Sequence, residues 1–149
     1  MPSLPARLIH LLMLLLLPLC AGAVWSVASQ LLHRDLPWAA LAMPLVLLLM
    51  RGQLGFLPPW LRVLLHGLAA TAGIAYAQAL ITGVRVAMQF GYGPIETLQT
   101  MGAAMTWELV CLRSGAIDAL AAAVAVTLAM WIGYAGQPSP TGVKPRSGP

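Results

Sequence analysis

Long apolar stretches separated by short polar breaks set the pattern of this chain. The first runs from Leu8 to Leu32, relieved by His10, Pro18 and a Ser/Gln patch near its end. A helix needs about 20 residues to cross a hydrocarbon core of roughly 30 Å. The run therefore predicts a first transmembrane helix over 8–30. His33, Arg34 and Asp35 break it. A second apolar stretch predicts a helix over 36–56, with Pro37 in its first turn and a kink at Pro44. Leu57-Pro58-Pro59-Trp60 then stops it, because paired prolines do not continue a helix. Two more stretches predict helices over 61–83 and 116–134. Trp38, Trp60, Trp131 and Tyr134 fall where an aromatic belt meets the membrane surface.

The segment from Val84 to Gly115 is too polar to span and too apolar for a free loop. Ile95, Leu98, Met101, Met105, Leu109 and Leu112 recur at three- and four-residue steps, with Glu96, Gln99, Thr106 and Glu108 on other faces. That pattern predicts an amphipathic helix over 94–112, opened by Pro94 and lying on the membrane surface or capping the bundle. The fold class expected is all-α integral membrane: a four-transmembrane-helix bundle with an amphipathic interfacial helix between the third and fourth spans. Residues 1–135 form one membrane domain. Residues 136–149 are Pro/Ser/Gly-rich and read as a disordered cytoplasmic tail.

Small residues recur at four-residue spacing on two of these helices: Ala69, Gly73 and Ala77 on the third, Ala119, Ala123 and Thr127 on the fourth. Such faces let backbones approach closely. They predict tight packing of the third span on the fourth, with Gly73 and Ala123 as interaction candidates.

Composition agrees with lipid as the solvent. Sixty per cent of the residues are apolar and 8% are charged, against about a quarter charged in soluble domains. The net charge of +4 is thinly spread, so nucleic acid is not an expected partner. Cys20 and Cys111 stand far apart and suggest neither a zinc site nor a disulfide framework. Arg7, Arg51, Arg62, Lys144 and Arg146 fall on one side of the expected membrane. Arg34, Arg85 and Arg113 fall on the other, with Asp35, Glu96, Glu108 and Asp118. Basic residues favour the cytoplasm, which predicts both termini inside, in a bacterial inner membrane. An alternative reading of the N-terminus is a cleaved signal peptide ending at Ala21-Gly22-Ala23. Apolar character continues through Val24, Trp25, Val27 and Ala28, which favours an uncleaved helix.

Few residues suggest chemistry. His10 and His66 sit near the same ends of two spans, and a histidine pair at one depth can hold a b-type haem. Histidines near helix ends also simply tolerate the interface, and no cofactor is expected. Arg85, Arg113, Glu108 and Asp118 gather near the outer helix ends. They read either as a vestibule for an anionic or zwitterionic ligand, or as an Arg85–Asp118 pair locking two helices. Gln78 and Thr71 are the polar residues within the third span, where interhelical hydrogen bonding is the usual role. Gly91-Tyr92-Gly93 matches the G-Y-G of potassium-channel filters, but Gly-Tyr-Gly-Pro is ordinary turn chemistry. Ser114 reads as a helix cap.

The function expected is non-enzymatic: an accessory, anchoring or assembly subunit of a membrane complex, with the lipid bilayer and another membrane protein or a second copy as partners. The alternatives are a small oligomeric transporter or channel, and a b-type haem redox protein using His10 and His66.

Overall fold

The computed structural model of the chain describes residues 4–135 apart from Gly52, and Pro94 by its backbone alone. The tail expected over 136–149 lies outside the described residues. Among those described, all regular structure is helical. Five α-helices follow one another: α1 (Leu4–Leu31), α2 (Ala42–Leu48), α3 (Pro59–Phe90), α4 (Pro94–Arg113) and α5 (Ala116–Ala135). A 3-10 turn over Pro37–Leu41 precedes α2. Three of them, α1, α3 and α5, are long and apolar enough to cross a membrane.

α1 continues without a break through Pro18 and through Ala21-Gly22-Ala23. The single helix expected over 36–56 is divided. Pro37 opens a 3-10 helix of five residues, and α2 adds seven. Together they reach roughly 20 Å. Pro44 does not kink a long helix as expected. It stands in the first turn of α2, where its missing N–H removes no helical bond. Turns carry the chain from Leu49 to Leu57.

α3 is longer than expected. It runs past 83 to Phe90, about 48 Å over its 32 residues. Gly83 does not end it, because Gly83 serves packing: a β-carbon there would meet the Leu98 side chain at 2.6 Å. The stop comes at Gly91, left-handed with φ 73°, the usual helix-ending conformation of glycine. Tyr92 N–H then closes on the Ala87 carbonyl at 3.1 Å. The Gly-Tyr-Gly segment is a helix terminus.

α3 is the central helix, and its neighbours have a clear register. Against α1, Gly73 meets Pro18, Gly22 meets the Gly73 carbonyl and Ala77, and Gln30 reaches the Ile81 carbonyl. These positions ascend together, so α1 and α3 run parallel. Against α5, Gly67 meets Met130 and Gly133 meets Arg62 and Val63, so α5 is antiparallel to α3. α4 folds back along the far end of α3, with Leu98 over Gly83 and Arg113 bonded to Gln78.

α3 and α5 do pack together, through other faces than the spacing suggested. Gly73 faces α1 and Met43 of α2. The buried face of α5 carries Ala121, Ala125 and Ala129, while Ala123 and Thr127 are exposed and Ala119 lines a cavity. Two stripes of small residues alternate on α5, and the core takes the first.

α4 covers the expected amphipathic stretch but is broken at Gly102 (φ 71°, ψ 168°), a conformation open to glycine. Thr97, Thr106 and Val110 are its buried residues.

Candidate functional site

The polar groups of the bundle gather where α1 and α3 end. α1 ends in a turn at His33, left-handed at φ 50°, which brings Asp35 alongside α3. Arg85 on α3 grips this carboxylate with both terminal nitrogens: Nη2 to Oδ1 at 2.8 Å and Nη1 to Oδ2 at 3.4 Å. Arg113, the last residue of α4, lies 3.5 Å from the same Oδ1. Its Nη2 also donates to Gln78 Oε1 at 2.6 Å. Burial pushes the Arg113 guanidinium below its usual pKa range, and the Asp35 charge opposes that shift. Four residues from two helices and the turn after α1 thus form a single node.

Asp118 is not Arg85's partner. Its Oδ2 accepts the Gly115 N–H at 3.0 Å, the return half of a capping box at the start of α5. Asp118 satisfies its own helix end, and the parallel course of α1 delivers Asp35 to Arg85 instead. Sequence reasoning missed Asp35, although it placed Asp35 on the same side of the membrane as Arg85. Glu108 is exposed and outside the node.

Beneath the node lies a largely apolar, half-open cavity of about 210 Å³, lined by α1, α3, α4, α5 and the 3-10 turn. Its polar lining comes from Trp25, Thr71, Gln78, Ser114 and Asp118. Thr71 donates to the Gly67 carbonyl at 2.9 Å. Trp25 is buried, and its indole Nε1 has no partner.

The other end of the bundle is also held by arginines. Arg51 donates to the Ala135 carbonyl at 3.1 Å, a cation on the last turn of α5. Arg7 lies over the Phe56 ring at 5.5 Å. The parallel register of α1 and α3 carries His10 and His66 to this end. His66 is buried, with Nδ1 2.8 Å from the Arg62 carbonyl and Nε2 unpartnered. His10 Nδ1 is likewise buried without a partner. Neither histidine lines the cavity beneath the node. Among the described residues, no three of His, Cys, Asp and Glu are grouped to hold a metal ion. Cys20 and Cys111 are both free and exposed.

Gly73 and Ala123, paired by their spacing, part company. Gly73 is buried at the α1–α3 crossing, and Ala123 lies on the outer face of α5. No family model, no curated protein and no solved structure matches this chain.

Proposed function

We propose that the chain is a multi-pass protein of the bacterial inner membrane, acting as an accessory, anchoring or assembly subunit of a membrane complex. In this reading it crosses the bilayer four times with both termini in the cytoplasm, and α4 lies at the interface. Two arrangements support that topology. The parallel course of α1 and α3 asks the segment between them to return across the bilayer. Arginines 7, 51 and 62 stand at one end of the bundle and 34, 85 and 113 at the other, and in sequence Lys144 and Arg146 follow the end of α5 that lies with the first group, five basic residues against three.

The observation that carries the function is the division of labour on α5. One small-residue face, Ala121–Ala125–Ala129, is buried in the core. The other is exposed at Ala123 and Thr127, with no helix over them among the described residues. Thr127 turns its hydroxyl onto the Ala123 carbonyl at 2.7 Å, which leaves a smooth surface for close approach. The charged and amide groups of Asp35, Gln78, Arg85 and Arg113 are engaged in holding helices together. Purification in mild detergent should yield a stoichiometric partner or a homo-oligomer, and Ala123→Leu should release it as a folded monomer.

A second reading, a small oligomeric transporter, draws on the cavity beneath the node, since a pocket with a few convergent polar groups is a common ligand site. It prevails if the purified protein, without a partner protein, moves a solute in liposomes and Gln78→Leu abolishes the flux. The third, a haem protein using His10 and His66, would show as a visible absorption band of the purified protein.

A further inference from the structure

Between the outer ends of α3 and α4 lies a second opening, a cleft of about 380 Å³. Thr82, Arg85 and Gln89 line it from α3, and Leu109, Leu112 and Arg113 from α4. Its polar atoms are donors in excess of acceptors. The guanidiniums of Arg85 and Arg113 share one carboxylate, Asp35. The nearby Asp118 is committed to the Gly115 N–H. Arg113 Nη1 is buried and has no partner.

Thr82 adds an independent sign. A helical threonine ordinarily turns its hydroxyl onto the carbonyl four residues back. Thr71, Thr97, Thr100, Thr106 and Thr127 all do so, at 2.7–2.9 Å. Thr82, the remaining described threonine, does not. It is 5% exposed, and its Oγ1 is buried with no partner. A buried hydroxyl without a bond is costly unless something supplies one.

We propose that this cleft binds a phosphate group. Guanidinium nitrogens and a hydroxyl donor fit the several oxygens of a tetrahedral anion. Leu109, Leu112 and Val86 give the cleft apolar walls at the end of a membrane-length helix. Those walls select the phosphodiester headgroup of an anionic lipid, with its acyl chains lying along them. The site is independent of the assembly reading, since it involves neither α5 nor its outward face.

The test uses the full chain in mild detergent, read by native mass spectrometry and thermal unfolding. Phosphatidylglycerol should appear as a bound adduct and raise the unfolding temperature. Diacylglycerol with the same chains, lacking the phosphate, should do neither. Arg113→Gln should weaken binding but also loosens the node, so Thr82→Val carries the decision. Valine matches threonine in size and removes an unsatisfied hydroxyl, so the unliganded variant should be at least as stable as the parent. Its phosphatidylglycerol binding should fall by about tenfold. If inorganic phosphate at equal concentration protects as strongly as the lipid, the phosphate site stands and its occupant is a soluble phosphate. The proposal is overturned if diacylglycerol binds as well as phosphatidylglycerol, or if Thr82→Val binds the lipid as the parent does.

Discussion

Arg85 and Asp35 meet at 2.8 Å across 50 positions of sequence, joining the end of α1 to the far end of α3. Their side chains are 35% and 49% exposed, so water and salt compete with the pair. An ion pair of this kind contributes up to about 1 kcal/mol. A double-mutant cycle with Asp35→Asn and Arg85→Gln, read by thermal stability in detergent, should give coupling of about 0.5 kcal/mol. That coupling should shrink at high salt. Asp118→Asn combined with Arg85→Gln should be additive. Coupling at 118 without coupling at 35 would relocate the node.

Asp118 has a separate role at the start of α5. Losing the bond from the Gly115 N–H should cost about 1 kcal/mol, as helix-capping bonds do. Asp118→Ala should show this loss whether or not Arg85 is present.

Gly73 and Ala123 separate folding from assembly. A β-carbon on Gly73 would lie 2.8 Å from Pro18 Cβ, 2.9 Å from the Pro18 carbonyl oxygen and 3.0 Å from Met43 Sδ. Met43 has a flexible side chain, but the Pro18 backbone does not yield cheaply. Gly73→Ala should therefore destabilise the monomer by about 1–3 kcal/mol, the usual cost of overpacking. Ala123→Leu places its bulk outside the bundle and should leave monomer stability within about 0.5 kcal/mol. An intact monomer with Gly73→Ala would mean that α1 and α3 are not held at this crossing.

The difference between these two residues marks how far the sequence could be read. Length and apolarity are local properties, so α1, α3 and α5 were visible in it, as was the gathering of Arg85 and Arg113. Which stripe of α5 the core takes was not visible. Ala119–Ala123 and Ala121–Ala125 have the same spacing, and only the register decides between them. Asp35 was hidden as Arg85's partner for the same reason: four spans place both residues on one side, but only the packing of α1 on α3 brings the turn after α1 against Arg85. Pro44 misled because a proline early in a helix costs nothing while one in its middle kinks it. Its effect depended on where α2 begins. Thr82 carried no signal at all, because an unpartnered hydroxyl exists only in three dimensions.

Gly102 tests the break in α4. A β-carbon there would meet nothing within 4 Å, so space is not the issue. The cost of Gly102→Ala comes from its backbone (φ 71°, ψ 168°) and should be about 1–3 kcal/mol. If α4 straightens to avoid that cost, Leu98 and Arg113 cannot both keep their places on Gly83 and Gln78. The variant should then lose stability in detergent and also the phosphatidylglycerol protection assigned to the neighbouring cleft. Unchanged stability would mean that α4 bends for another reason.

The last prediction concerns the segment between α1 and α3. Because the two helices run parallel, the chain leaves α1 beside Ile81 and enters α3 beside Arg7 and Phe56. It therefore travels the length of the bundle between these points. Only part of that path is helical, roughly 20 Å of it. Irregular backbone at membrane depth is tolerated where protein buries it and its polar groups are bonded. Bonding is largely met, and burial in part: Leu49, Arg51, Gln53 and Gly55 are exposed. Met50 and Leu54 are buried. The N–H groups of Leu49, Met50, Arg51, Gln53 and Leu57 each close on a carbonyl three residues back, at 3.0–3.2 Å. The four-span topology proposed above asks this segment to cross without a full-length helix. With Cys20 and Cys111 replaced by serine, Arg34→Cys and Gln53→Cys should react with a membrane-impermeant maleimide from opposite sides. The cysteine at 34 should be labelled in intact cells, and the one at 53 after lysis alone. A reporter fused after Ala135 should share the side of 53, because α5 returns antiparallel to α3 and Arg51 bonds its last carbonyl. Labelling of 34 and 53 from the same side would make the segment re-entrant and remove the fourth crossing.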